Sequence, residues 1–331
     1  MQNYELIIIG AGPIGLYSTF LAGLRDIKSL TLEALDYSGG QIPELYPEKT
    51  VYDVQGIPRI NAMELRDKME EQARMFGNEI LFNSKVTDII KTDNGFNVEV
   101  NGEKLYSSRA VLICTGMGDF TPRKIGCPGE DDYLNKGLSY TVKDIEKFKD
   151  TVVGVVGGGD AAIDYANELA EVASRVYVIH HSEKFRAAEK TLENARKNQK
   201  IEFIMNTSVS KISGNSVLEN VTLHNVNDNT DKILKLDRLV IAIGHVGKAN
   251  LFKSINLETS PNKRNIMVNN RFETNIPGIY AVGDVASIAG EPIHPLIAVE
   301  GGDAYMAINI IKKYLNPEAS IFGGHSSSLN L

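Results

Sequence analysis

Leu6-Ile7-Ile8-Ile9-Gly10-Ala11-Gly12-Pro13-Ile14-Gly15 decides how the rest of this 331-residue chain is read. Four consecutive branched aliphatic residues suit a parallel strand buried on both faces. A Gly-x-Gly-x-x-Gly string follows at once, and the apolar run to about Leu24 reads as a helix leaving the turn. In such a strand–turn–helix Gly10 permits the tight turn, Gly12 lets the backbone approach a pyrophosphate, and Gly15 lets the helix pack close to the strand. The free N–H groups at the helix start then face the phosphates. The same stretch makes a poor secretion signal, because it lacks a basic leader, follows Glu5 and is broken by Gly10, Gly12, Pro13 and Gly15.

Working outward, a second strand over Ser29–Leu32 ends at Glu33. A carboxylate there accepts hydrogen bonds from a ribose diol and repels a 2′-phosphate, so the first site takes FAD or NAD and not NADP. Asn94-Gly95 and Asn101-Gly102 separate alternating runs, the mark of an antiparallel meander. The pattern closes with Ala110–Ile113 and Cys114-Thr115-Gly116. Far downstream, Ile279–Val282 reads as a strand ending in Gly283-Asp284, followed by a helix from about Ala298 to Tyr314. An acid at Asp284 can bind the ribityl chain of a flavin, which favours FAD over NAD at this site.

The pattern then repeats. Val152–Val156 leads into Gly157-Gly158-Gly159-Asp160-Ala161-Ala162, a helix runs to about Val172, and the next strand is Val176–Ile179. Ser213-Gly214-Asn215 and Asp228-Asn229 mark a second meander, and Leu239–Ile243 closes at Gly244. Gly157, Gly159, Asp160 and Ala162 form the variant turn with Ala in the third place. The counterpart of Glu33 is His180, which is not acidic. Arg186, helped by His181 and Ser182, can reach an adenosine 2′-phosphate, and Glu183 opposes it. The expected cofactor here is NADPH. The expected fold class is α/β: two Rossmann-like three-layer dinucleotide-binding domains, each with a β-meander, the second inserted in the first. Residues 1–116 and 245–331 would hold FAD, and residues 117–244 NADPH.

Bulk properties narrow the function. Hydrophobic residues make up 43% of the chain and charged residues 23%, a globular balance. A net charge of −7 argues against nucleic acid as a general partner. No segment reads as a membrane span. Cys114 and Cys127 are too few for a disulfide framework, form no C-x-x-C motif, and fit a reducing cytoplasm. Cys114 ends an apolar strand and reads as a buried structural thiol. The six histidines show no zinc spacing, so no metal is expected. A flavin and a nicotinamide together define hydride transfer, which the cofactors carry out and the protein orients. Without a resident dithiol, the electrons leave directly from the flavin. Two rival readings stay open: an NAD(P)H-dependent reductase of quinones, ferric chelates or other small acceptors, and a non-catalytic flavin-binding redox sensor.

Over nearly its whole length the chain resembles the low-molecular-weight thioredoxin reductases. The matches are Gly10–Gly15, Gly39-Gly40-Gln41, Cys114-Thr115-Gly116, Gly157–Ala162, Phe185-Arg186-Ala187 and Ala281-Val282-Gly283-Asp284. It departs where those enzymes carry their redox C-x-x-C: after Ser139-Tyr140 come Thr141-Val142-Lys143-Asp144. Leu45-Tyr46-Pro47-Glu48-Lys49, Gly301-Gly302-Asp303-Ala304 and His325-Ser326-Ser327-Ser328-Leu329 look more like the ferredoxin–NADP reductases of the thioredoxin-reductase-like type. That resemblance implies a homodimer that reversibly passes single electrons to ferredoxin or flavodoxin. It implies Tyr46 stacking on one face of the flavin and His325 covering the other, reaching the neighbouring subunit's flavin. It also implies FAD contacts from Glu33, Gly40, Gln41, Val86, Gly116, Phe120, Asp284 and Ser327. Arg residues usual in that family at the positions of His181 and Ser182 are missing, which leaves Arg186 as the retained part of the phosphate clamp.

Overall fold

The computed structural model describes residues 3–118, 122–245 and 252–322. The chain divides into two units, residues 1–120 with 247–331, and residues 121–246. Phe120, His325 and Ser327 lie outside the described residues.

The first unit opens with β1 (Asn3–Ile9), α1 (Pro13–Leu24), β2 (Ser29–Leu32) and a short α2 (Gln41–Leu45). A small ribbon of β3 (Thr50–Val51) and β4 (Ile60–Asn61) leads into α3 (Ala62–Arg74), whose first N–H groups are capped by the Asn61 side chain. Then come β5 (Glu79–Leu81), β6 (Val86–Thr92), β7 (Gly95–Val100) and the ten-residue β8 (Lys104–Ile113). Sheet order is β5-β2-β1-β8-β7-β6. From β1 the chain crosses to β2 on one side, while β8 lies on the other. Gly10 therefore sits at a topological switch point, where open α/β sheets leave a crevice for ligands. β8 does two jobs. Residues 107–113 pair in parallel with β1, residues 104–108 pair antiparallel with β7 and residues 111–113 pair in parallel with a later strand. Leu6, Ile7, Ile8, Leu112 and Ile113 are fully buried, as the uninterrupted aliphatic run requires.

The second unit repeats the order. It comprises β9 (Leu138–Ser139), a 3₁₀ turn (Ile145–Phe148), β10 (Val152–Val156), α4 (Asp160–Val172), β11 (Arg175–Ile179) and α5 (Glu189–Lys197). These are followed by β12 (Ile201–Ile204), β13 (Thr207–Gly214), β14 (Leu218–Asn225), β15 (Thr230–Lys235) and β16 (Arg238–Ile241). The parallel sheet runs β12-β11-β10-β16-β9, and the meander β13-β14-β15 is a sheet of its own. This is where the copies differ, since the first fuses meander and parallel sheet through β8. The chain then returns to the first unit with β17 (Ile266–Val268), β18 (Ile279–Ala281), β19 (Ala286–Ile288) and α6 (Ile297–Leu315). β18 is the strand that extends β8.

The backbone shows how closely the copies match. Gly10 N–H donates to Leu32 O and Gly157 N–H to Ile179 O. Glu33 donates to Leu81 O while its own carbonyl accepts from Ser84, and His180 repeats this with Ile204 and Thr207. Glu33 and His180 are thus structural counterparts, and the two-Rossmann-fold expectation matches the structure.

Candidate functional site

In the first unit the glycines are dictated by contact. A Cβ at Gly10, where φ is +100°, would stand 2.7 Å from Cys114 O, and one at Gly15 only 1.8 Å from Gly10 O. Gly40 faces the turn so closely that its Cβ would lie 3.0 Å from Gly12 Cα. α1 begins after Gly12 with Pro13 in its first turn and no side chain capping it. Its terminal N–H groups are therefore left to an anion.

Glu33 is 7% exposed. Oε2 accepts from Ala11 N–H at 2.7 Å and Oε1 from Leu35 N–H at 2.9 Å. Burial pushes its pKa up, and the backbone N–H groups of Leu35, Ala11 and Ala34 draw it down. With three backbone N–H groups on about four lone-pair sites, the carboxylate keeps one site free, so Glu33 can brace the turn and still accept from a ribose hydroxyl.

Gly10, Gly12, Pro13, Glu33, Gly40, Gln41, Tyr46, Val86, Gly116 and Asp284 all line one cavity, and Gly15 lies under its turn. Gln41 donates its amide N–H to Asp284 Oδ2. Burial pushes the Tyr46 hydroxyl up to about 12, so it stays a neutral phenol. The cavity is also lined by Thr115, whose buried Oγ1 has no hydrogen-bond partner among the described residues. An open helix start, an orphaned buried hydroxyl and an aromatic wall suit a ligand with an anionic middle and a flat polar ring, which is the chemistry of FAD.

Sequence reasoning overlooked Thr115 and Glu300 in this cavity. Glu300 sits in the first turn of α6. Burial pushes its carboxyl up to about 9, aided by Asp284, to which it is hydrogen-bonded, and by Asp303. The available signal was an acid one turn into the helix that follows Gly283-Asp284.

In the second unit, a Cβ at Gly157 would meet Ala242 O at 2.4 Å and the Ala162 methyl at 2.8 Å. α4 starts after Gly159 and again has no side-chain cap. Asp160 Oδ1 accepts from Ala188 N–H at 2.8 Å, so this acid ties the turn to the start of α5. The Arg186 backbone N–H donates to Gly158 O at 2.8 Å, which brings an exposed guanidinium-bearing residue to the turn.

His181 is exposed, and Ser182 Oγ accepts from Lys184 N–H at 3.1 Å. Glu183 is engaged by Asn206 at 3.2 Å. His180 is 6% exposed and lies under Gly158, where a Cβ would stand 2.2 Å from its Cε1. Its ring stacks on Phe185 at 5.0 Å. Burial pushes its pKa down, and His181 and Arg186 add to the shift. The counterpart of Glu33 is thus a neutral imidazole with nothing to repel a phosphate. Gly244, with φ of +92°, accepts from Arg123 N–H through its carbonyl.

Neither cysteine is disulfide-bonded. Cys114 is buried 4.0 Å from Ser18 Oγ, and desolvation pushes its thiol up to about 12. Alkylation of the folded protein near pH 8 should therefore modify Cys127 slowly and Cys114 not at all, with both reacting after denaturation. Mass spectrometry checks this, and rapid double labelling of the folded chain would contradict it. Thr141 and Asp144 precede the 3₁₀ turn and carry no sulfur. Among the described residues no three His, Cys, Asp or Glu side chains gather as a metal site, and no helix is long and apolar enough to cross a membrane.

Two units of one strand order, each with a glycine turn and an uncapped helix at its switch point, define an oxidoreductase that holds two dinucleotides. Residues 4–307 match the family model for pyridine nucleotide-disulphide oxidoreductases. The chain is 66% identical to the ferredoxin–NADP reductase of Picrophilus torridus, over all of both chains. It is 41% identical to that of Metallosphaera sedula, over 100% of this chain and 99% of the relative. Among solved structures, the thioredoxin reductase of Lactococcus lactis is 27% identical with a TM-score of 0.84, covering 94% of this chain and 99% of that one. The T. acidophilum thioredoxin reductase is 26% identical at a TM-score of 0.84, covering 96% and 100%. The chain belongs to the pyridine nucleotide-disulphide oxidoreductase family, and within it to the ferredoxin–NADP reductases.

Proposed function

We propose that this chain moves electrons between NADPH and ferredoxin or flavodoxin through FAD, as a cytoplasmic homodimer. The observation that carries this reading is the absence of thiols at Thr141 and Asp144 in a chain whose two dinucleotide turns are intact. FAD, when bound, supplies the conversion of a two-electron donor into one-electron steps.

The chain's own residues bind and orient. Glu33 takes the adenosine ribose. Gly10, Gly12, Pro13, Gly15 and the start of α1 take the pyrophosphate, with Gly40 and Gly116 close by. Gln41 and Asp284 orient the ribityl chain. Tyr46 packs on one face of the flavin ring and His325, from a neighbouring subunit, on the other, with Val86, Phe120 and Ser327 completing the contacts. Gly157, Gly159, Ala162 and Gly244 admit the second dinucleotide, Asp160 fixes the approach of α5, and Arg186 clamps the 2′-phosphate with Ser182 and His181. Residues 1–116 with 245–331 serve FAD and residues 117–244 serve NADPH. Ile293, Leu296, Val299 and Met306 are exposed on the single chain, which supports a homodimer.

The test is anaerobic. Protein reduced with NADPH is mixed with ferredoxin, flavodoxin, a quinone or thioredoxin disulfide. Ferredoxin or flavodoxin should be reduced fastest, the rate should fall as salt rises because such carriers are acidic, and thioredoxin disulfide should stay oxidised. Rapid reduction of thioredoxin disulfide would refute the reading.

A further inference from the structure

We propose that Asp284 and Glu300 form a proton relay for the flavin cavity: Asp284 takes up the proton that each hydride leaves behind, and Glu300 releases one through Asp303 to solvent. The relay rests on the proposed function, because it is the mismatch between hydride donor and single-electron acceptor that creates the proton. One NADPH and two oxidised carriers yield NADP⁺, two reduced carriers and one H⁺. A hydride brings two electrons and a proton into the cavity, and an iron–sulfur carrier removes electrons alone.

The geometry offers a route. Glu300 lines the cavity that holds Gln41, Tyr46 and Asp284, and it also lines a second cavity that holds Asp303. On the single chain, the exposed polar residues Glu291 and His294 form part of the second cavity's wall and open that side to solvent. Gly283 lies directly beside Glu300, since a Cβ there would be in ordinary contact with Glu300 Oε2 at 3.5 Å. Gln41 fixes Asp284 by donating to its Oδ2. The Asp284 and Glu300 carboxyls are hydrogen-bonded to one another, and that bond needs one shared proton.

The titratable groups around the pair are Asp303 on the same helix, Glu291 and His294 across the second cavity, and Glu33, Tyr46, Lys85 and Cys114 around the first. Burial and the neighbouring carboxylate together hold Glu300 protonated at neutral pH, while Asp303 is raised by burial alone. The exchange balances. Asp284 accepts a proton as Glu300 passes its own to Asp303 or water. The new proton then shifts along the carboxyl–carboxylate bond from Asp284 to Glu300 and restores the starting state. Flow in the opposite direction runs these steps backward.

The test uses the FAD-loaded protein. Infrared spectra in H₂O and D₂O should show a carboxylic acid carbonyl band at neutral pH that moves in D₂O, disappears on titration with a midpoint near about 9 and is absent from Glu300→Gln. Glu300→Gln should keep its flavin absorbance and its KM for NADPH. Its ferredoxin turnover should drop about tenfold to a hundredfold; the wild-type rate should decline above a pH of about 9 as Glu300 loses its proton, and the variant should lack that decline. In the wild type, the pH dependence of the flavin midpoint potential should bend where the infrared band disappears, and Glu300→Gln should remove the bend. A wild-type protein with no acid band at neutral pH would overturn the relay without any variant. So would a Glu300→Gln protein with unaltered pH profile and potential. A wild type that shows the band but cannot reduce ferredoxin would overturn the functional reading, and the relay's role with it.

Discussion

The Gly15→Ala protein is expected to purify colourless, having lost its FAD. A methyl at Gly15 would sit 1.8 Å from Gly10 O and 2.9 Å from Gly10 C, and both obstacles are backbone. No rotamer relieves that contact, so α1 must withdraw from β1 or the turn must open. Either change moves the N–H groups of the helix start away from where a pyrophosphate would lie. Overpacking of this kind costs about 1–3 kcal/mol or more. At about 2–4 °C per kcal/mol for a domain of this size, the melting temperature should drop by roughly 5–10 °C. Gly302→Ala is the control: its Cβ meets nothing within 4 Å and its φ is not positive. That variant should stay yellow and melt at or slightly above the wild-type temperature, because Ala favours a helix over Gly. A flavin-to-protein ratio in Gly15→Ala equal to that of the wild type would show that the turn does not hold the cofactor.

The second large effect concerns selectivity. Arg186→Ala should raise KM for NADPH by about 10–100-fold, because a charge-assisted hydrogen bond contributes about 1.5–3 kcal/mol and about 1.4 kcal/mol is tenfold. KM for NADH should hardly change, since NADH has no 2′-phosphate. The backbone of Arg186 is tied to Gly158 O, so truncating the side chain leaves the loop in place. His180, as a neutral ring, brings no carboxylate to Arg186, and the Glu183 carboxylate is held by Asn206. Equal losses with both nucleotides would mean that Arg186 acts through the fold. A lower KM for NADH than for NADPH in the wild type would sink the preference itself.

The parts of the site that sequence revealed are those written locally. A strand, a glycine turn, a helix and an acid at the next strand's end occupy a short window, and each glycine has a steric reason that can be stated without coordinates. The same locality let Glu33 and His180 be matched, and their hydrogen-bond partners repeat residue for residue. What stayed hidden depends on distant segments meeting. Gly40 against Gly12, Gln41 on Asp284 and Glu300 beside Asp284 are each set by tertiary packing. The burial of His180 was invisible for a related reason, since the partner that admits its ring is Gly158, which has no side chain to leave a pattern. The helices α2 and α3 were also unread, although Gly40 opens the first and the Asn61 side chain caps the second.

The two meanders, each marked in the sequence by its turn residues, are tied into their units in different ways. In the second unit β13–β15 is a separate sheet, held against the parallel strands by side-chain packing: Val209, Ile212, Leu218, Val221 and Leu223 share a core with Val156, Ile179, Leu239 and Ile241. None of its strands enters the ladder of β10, β11 and β16, so a change of length in its outer hairpin leaves their register alone. The first unit has no such seam. β8 begins as the last strand of the meander and ends as the floor that carries Cys114, Thr115 and Gly116 into the cavity. An inserted residue there would turn over the faces presented to β1, β7 and β18 together. On the nicotinamide side the meander can change length without shifting the parallel strands, and on the flavin side it cannot.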